Sequence, residues 1–241
     1  KIQALTTTQL KEISATDLAE FGVTGIEAMS VTQINALTCA TAKGFTEEQL
    51  RALSNDQIAA LTRLSLMALN ATQLDCLSTE QIAAISESAI IGLTTTAISS
   101  LDVAQVDALR TGQLAALTTK QITGLTEEQL GKLSVEQVSA LTSTQLGALT
   151  CSAIDGLSNA QIQALTLTQL AGLTGTALSR LSMTQFAALS TEQLSALTTT
   201  QLKSLTSSDV AELSVAELNA LSATQIGGLT TTAVKGLNEE Q

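Results

Sequence analysis

Few side chains in this sequence could do chemistry. They are Cys39, Cys76 and Cys151, the acidic pairs Glu47-Glu48 and Glu127-Glu128, and threonines that recur in register. Nucleophilic catalysis by a hydroxyl or thiol needs a neighbouring base, and the chain contains no histidine. Zinc needs Cys and His ligands at short spacings, whereas the three cysteines stand far apart with no C-x-x-C between them. They read as small buried residues. No calcium-loop, phosphate-loop or dinucleotide motif occurs. The expectation is an absence of catalytic residues, metal sites and cofactors, and a chain that is not an enzyme. The threonine array carries one other chemistry. Thr8, Thr16, Thr24 and Thr32 share a register, as do Thr168, Thr176 and Thr184. Such a lattice could order water in the manner of an ice-binding surface, although Ser, Glu and Ala interrupt it.

The charge balance narrows the partners. The formal net charge is −11, which opposes binding to nucleic acid, where cations must neutralise phosphate. It equally opposes an anionic membrane surface. No apolar run approaches the roughly 18–20 residues that cross a bilayer, so no membrane insertion is expected. Aromatics make up 1% of the chain, yet 44% of it is apolar, too much for a disordered tract.

The element that must position these residues is an eight-residue repeat. Stepping by eight from Leu5 to Leu237 gives 30 positions, 25 of them Leu and the others Ile13, Phe21, Met29, Phe45 and Ile85. With that residue as position 1, the consensus is L-[ST]-x-x-Q-[IL]-x-[AG], held without insertion or deletion. Ser and Thr are preferred helix N-caps, because their oxygen accepts an orphan backbone N–H. Gln three residues later completes a capping box, and the apolar residues at positions 1 and 6 form a hydrophobic staple. In Leu77-Ser78-Thr79-Glu80-Gln81-Ile82-Ala83-Ala84 every part is present. Each octad therefore begins a new helix of about six residues. The acidic pairs fall in the first helical turn, where the helix dipole favours them. A single long helix is disfavoured, since a period of eight makes the apolar stripe spiral around it. A β-solenoid is disfavoured because the apolar spacing does not alternate.

Alternate octads differ. At position 3 one class carries Val23, Cys39, Val103, Val135, Cys151, Leu167, Met183 and Val215, and the same class holds most glycines at position 8. The simplest account is a 16-residue coil of two short helices. The expected fold is thus all-α, a solenoid of about 30 very short capped helices, two octads per coil, forming one continuous array over residues 1–241. The chain opens and closes in mid-repeat, so it is expected to be a piece of something longer. The eight apolar position-3 residues would then line a lengthwise ridge for lateral contact, or lie deeper in the core.

Read as L-T-x-x-Q-I-x-A-L, the chain resembles octapeptide-repeat segments of very large bacterial surface or secreted proteins of adhesin type, through stretches such as LSTEQLSALTTTQLKSL at Leu189 to Leu205. The resemblance implies an extracellular or cell-surface stalk, spacer or filament region, and it carries over no functional residues. The expected partner is the chain itself, as a homo-oligomer or filament. The alternative is a binding or adhesion module whose polar face docks a cell-surface protein or glycan.

Overall fold

The computed structural model describes residues 2–241. A single 3-10 turn, Ile2–Ala4, precedes an all-helical chain with no strand among the described residues. Octads one to 29 each form one α-helix of four to six residues, from α1 (Thr7–Glu12) to α29 (Thr231–Val234). The helix number is therefore also the octad number. In α10 (Thr79–Ala84) the Ser78 hydroxyl accepts from the Gln81 N–H at 3.2 Å, and Gln81 Oε1 accepts from the Ser78 N–H at 2.9 Å. The same reciprocal pair opens most of the other helices, so the cap-and-box reading of the octad holds.

Two exceptions follow from residue type. Gly22 has no side-chain oxygen and takes a positive φ of 64°, and α3 (Gly22–Glu27) begins without a side-chain cap. Arg110 has donors only. Gln113 still accepts from its N–H at 2.7 Å, while the guanidinium turns to the Ile85 carbonyl at 3.1 Å. Replacing Ser78 with alanine removes half of a box and is expected to cost about 1 kcal/mol in a denaturant melt. A loss below a few tenths would show the cap to be inert.

The chain divides into two units, the first ending at Gly124 and the second Leu125–Gln241. Each is built by the same rule. Helices three apart in sequence pack together, as α7 (Asn55–Ala59) does on α10, and α24 (Thr191–Ser195) on α27 (Val215–Ala220). Residues that meet in successive turns are separated by 25 to 31 positions, with 28 recurring most evenly. The coil therefore takes about three and a half octads, and the two-octad, 16-residue coil is corrected. Two helices of six residues cannot enclose the two rows of large aliphatics; seven apolar positions per turn can. Positions 1 and 6 point inward, with Leu50, Ile58, Leu74 and Ile82 fully buried in the first unit and Leu146, Ile154 and Leu178 in the second, until the last octads, where Ile226 and Val234 are exposed.

Position 5 holds the turns in register. Its glutamines are buried, Gln81 at 4% exposure and Gln113 at 0%. Beyond its capping role, Gln81 donates Nε2 to the Leu50 carbonyl at 2.9 Å and to the Leu53 carbonyl at 2.9 Å. These carbonyls lie at the C-terminal end of α6 (Glu47–Ala52), where a helix runs out of i+4 donors; the Leu50 carbonyl also accepts from the Leu53 N–H at 3.2 Å. One amide thus closes the start of its own helix and the end of a helix one turn back. In the second unit Gln193 bridges Ile162 and Leu165 at 3.0 and 2.9 Å, and Gln201 bridges Leu170 and Leu173 at 2.8 and 2.9 Å. Where position 5 is Thr41, the reach contracts but persists, its hydroxyl donating to the Ile13 carbonyl at 3.0 Å. Among the described residues no buried side-chain N or O lacks a partner.

Candidate functional surface

The apolar position-3 residues do not form one row. In the second unit Val135, Cys151, Leu167, Met183 and Val215 are all exposed, Met183 to 52%. In the first unit Val23, Cys39 and Val103 are half-buried. A step of 16 residues is a little over half of a turn of about 28. Successive members of the ridge therefore face opposite sides of their own unit. The alternation of octads is nevertheless real, and from α5 (Cys39–Ala42) to α20 (Asn159–Ala164) it shows in helix length, though not beyond, where α21 (Leu167–Gly172) has six residues and α22 (Gly175–Leu178) four. Even-numbered α6, α8 (Arg63–Ala68) and α10 have six residues each, whereas odd-numbered α7, α9 (Ala71–Asp75) and α11 (Glu87–Ile90) have five, five and four. Because helices three apart stack, each contact joins an odd helix to an even one.

Glycine at position 8 belongs to that contact. A Cβ on Gly92 would stand 2.1 Å from the Arg63 carbonyl oxygen, and one on Gly156 the same distance from the Glu127 carbonyl oxygen. Cys76 takes the corresponding place in its octad, its thiol 3.6 Å from the Glu47 carbonyl oxygen. Burial pushes that thiol's pKa up, which lowers its nucleophilicity at neutral pH. Of the three cysteines, Cys39 and Cys76 are half-buried and Cys151 is exposed, so only the first two approach the buried role expected for them. Among the described residues no group of three His, Cys, Asp or Glu side chains is placed to hold a metal ion.

The threonines of position 4 are exposed at Thr8, Thr16, Thr24, Thr32, Thr168, Thr176 and Thr184. Neighbouring octads lie around the turn instead of above one another, so consecutive members spread over several sides. Thr8 and Thr32 share a stack, since α1 packs on α4 (Val31–Asn35). No flat lattice results from the run as a whole.

Ion pairs are sparse and exposed. Arg51 meets Glu47 at 3.1 Å within one helix, and Arg180 meets Asp155 from the neighbouring turn. The Asp17 carboxylate accepts from the Ser14 N–H and hydroxyl at 2.8 and 2.7 Å, which holds its pKa below the usual 3.8. A depressed folded value means this contribution is present above pH 3.8 and is lost as pH falls through the lower folded value. NMR titration should place the Asp17 carboxyl midpoint below 3.8, with the Ser14 amide moving in step. A midpoint at or above 3.8 contradicts the bonding described.

The family model described as the ALTTAQ repeat matches residues 108–143. The six letters of that description run over positions 8 and 1 to 5 of the octad, as in Ala116-Leu117-Thr118-Thr119-Lys120-Gln121 and Ala140-Leu141-Thr142-Ser143-Thr144-Gln145. They contain the cap, the buried Leu and the bridging Gln. This is a helical repeat protein. Comparison with curated proteins gives no match. No helix among the described residues is long and apolar enough to cross a membrane.

Proposed function

We propose that the chain is a structural repeat region, a stalk, spacer or filament-forming solenoid of a bacterial surface or extracellular assembly, that associates laterally with copies of itself and catalyses no reaction. The observation that supports this reading is the glutamine ladder. Within each unit, carbonyls at helix ends are met by glutamine amides of the next turn, so the design extends by repetition and concentrates its polar chemistry inside, on itself. Outward-facing groups are mostly Thr, Ser, Glu and scattered aliphatics, without the aromatic anchors that tight protein or sugar recognition favours.

Sedimentation of the purified chain over a range of concentrations tests the self-association. Reversible formation of larger species is expected, and a monomer at every concentration would remove it. Antibody labelling of intact cells that produce the full protein tests the location. Labelling without permeabilisation is expected, and labelling only after lysis would overturn it. An adhesion module that docks a protein or glycan along the exposed polar positions is the second reading. It is favoured by the hollows described below and predicts retention of the chain on cell-surface material.

A further inference from the structure

One side of the first unit departs from the acidic character of the chain. Two hollows of about 590 and 490 Å³ lie on either side of α8. Their linings follow the coil. Lys11, Cys39, Met67 and Thr95 stand 28 residues apart, as do Thr7, Asn35, Arg63 and Ile91, and Ala36, Leu64, Gly92 and Lys120. The two hollows are thus successive stretches of one surface strip. Its cations are Lys11, Arg63 and Lys120, all exposed. Its apolar groups include Leu64 at 54% and Met67 at 44% exposure. No carboxylate lines either hollow, although acidic residues outnumber basic ones 22 to 11 in the chain.

We infer that this strip is the surface through which the first unit docks a second copy of the chain, against exposed carboxylates of that copy. The inference rests on the self-association proposed above and gives it a site. Charge complementarity selects the occupant. A chain of net charge −11 repels its own copies over most of its surface, and a strip with cations and no carboxylates is where approach is attractive. Leu64 and Met67 supply apolar area beside Arg63 on α8, with Lys11 in one hollow and Lys120 in the other, the arrangement in which charges steer and aliphatics hold. The strip on one copy meets a different surface on the other, so the contact is heterologous and can continue from copy to copy.

The test is sedimentation equilibrium of the full chain and of an Arg63→Glu/Lys120→Glu variant, at low and high salt. Both side chains are exposed, so circular dichroism and melting should be unchanged. The wild type is expected to associate, more weakly as salt rises, and the variant to associate about tenfold or more weakly. If the double reversal disturbs folding, Arg63→Gln/Lys120→Gln replaces it, with a smaller loss expected. Association of the variants equal to wild type overturns the strip while leaving self-association standing. A wild type that never associates overturns both. A wild type that stays monomeric yet retains polyglutamate overturns the second copy as occupant.

Discussion

Gln81→Leu is expected to destabilise the first unit by roughly 3 kcal/mol or more, although leucine is close in volume and the site is buried. The reason is the number of groups the amide serves. Leucine leaves the Leu53 carbonyl and the Ser78 N–H without their side-chain partner and removes one of two donors from the Leu50 carbonyl, which keeps the Leu53 N–H at 3.2 Å, and an orphaned buried polar group costs about 1–3 kcal/mol. The loss should be local at first, because a repeat array is held by nearest-neighbour contacts. Hydrogen exchange should therefore quicken in α6, α7 and α10 before the rest of the unit responds. Gln163→Leu is the control, at the exposed position 7 of its octad, and should change stability by no more than about 0.5 kcal/mol. If both substitutions cost the same, the buried amides are not what joins the turns.

Gly156→Ala is the second large effect, and its sign is the informative part. Among the described residues only Gly22 has a positive φ, so the backbone at Gly156 accepts alanine. Where the native conformation permits it, Gly to Ala stabilises by about 0.4–1 kcal/mol, through the unfolded chain. The new Cβ, however, would lie 2.1 Å from the Glu127 carbonyl oxygen and 2.8 Å from its carbon. Backbone borders it, so the turns must separate, and overpacking of this kind costs about 1–3 kcal/mol. Net destabilisation in a thermal melt is expected. Stabilisation would mean that the turns are not in contact there.

The parts of this fold that were legible in the sequence are those that close within eight residues. Ser78, Gln81 and the aliphatics on either side declare a cap, a box and a staple, because the atoms that satisfy one another are three or four residues apart. What joins one turn to the next was not legible in the same way. Gln81 Nε2 finds its acceptors 28 and 31 residues away, and a carbonyl carries no residue identity that a pattern could reveal. The capping role of Gln was sufficient to explain its recurrence, which hid the second role. One signal did exist. A residue that only caps has no need to be Gln instead of Glu, yet acids are rare at position 5; the neutral amide is what a donor to carbonyls requires.

The alternation of octads misled for a related reason. Position 3 and position 8 do differ between odd and even octads, and a period of 16 suggests a turn of 16. The structure places the difference between helices that touch, not between two faces. Gly92 of octad 11 lies on Arg63 of octad eight, and Gly156 of octad 19 on Glu127 of octad 16. A glycine at position 8 of one helix lets a backbone carbonyl of its partner approach closely. The exposure of Val135, Leu167, Met183 and Val215 then reflects where each helix sits around its turn. The basic strip of Lys11, Arg63 and Lys120 was invisible for the opposite reason: its members fall at different octad positions and align only at a spacing of about 28.

A turn spans about 28 residues and is closed by buried glutamine amides. Nuclear Overhauser contacts from the side-chain amide protons of Gln81 test it most directly. Contacts to residues 50–53, 28 to 31 positions earlier, are expected, with slow exchange of those protons with solvent. Fast-exchanging amide protons, together with inter-helix contacts at separations near 16, would contradict it.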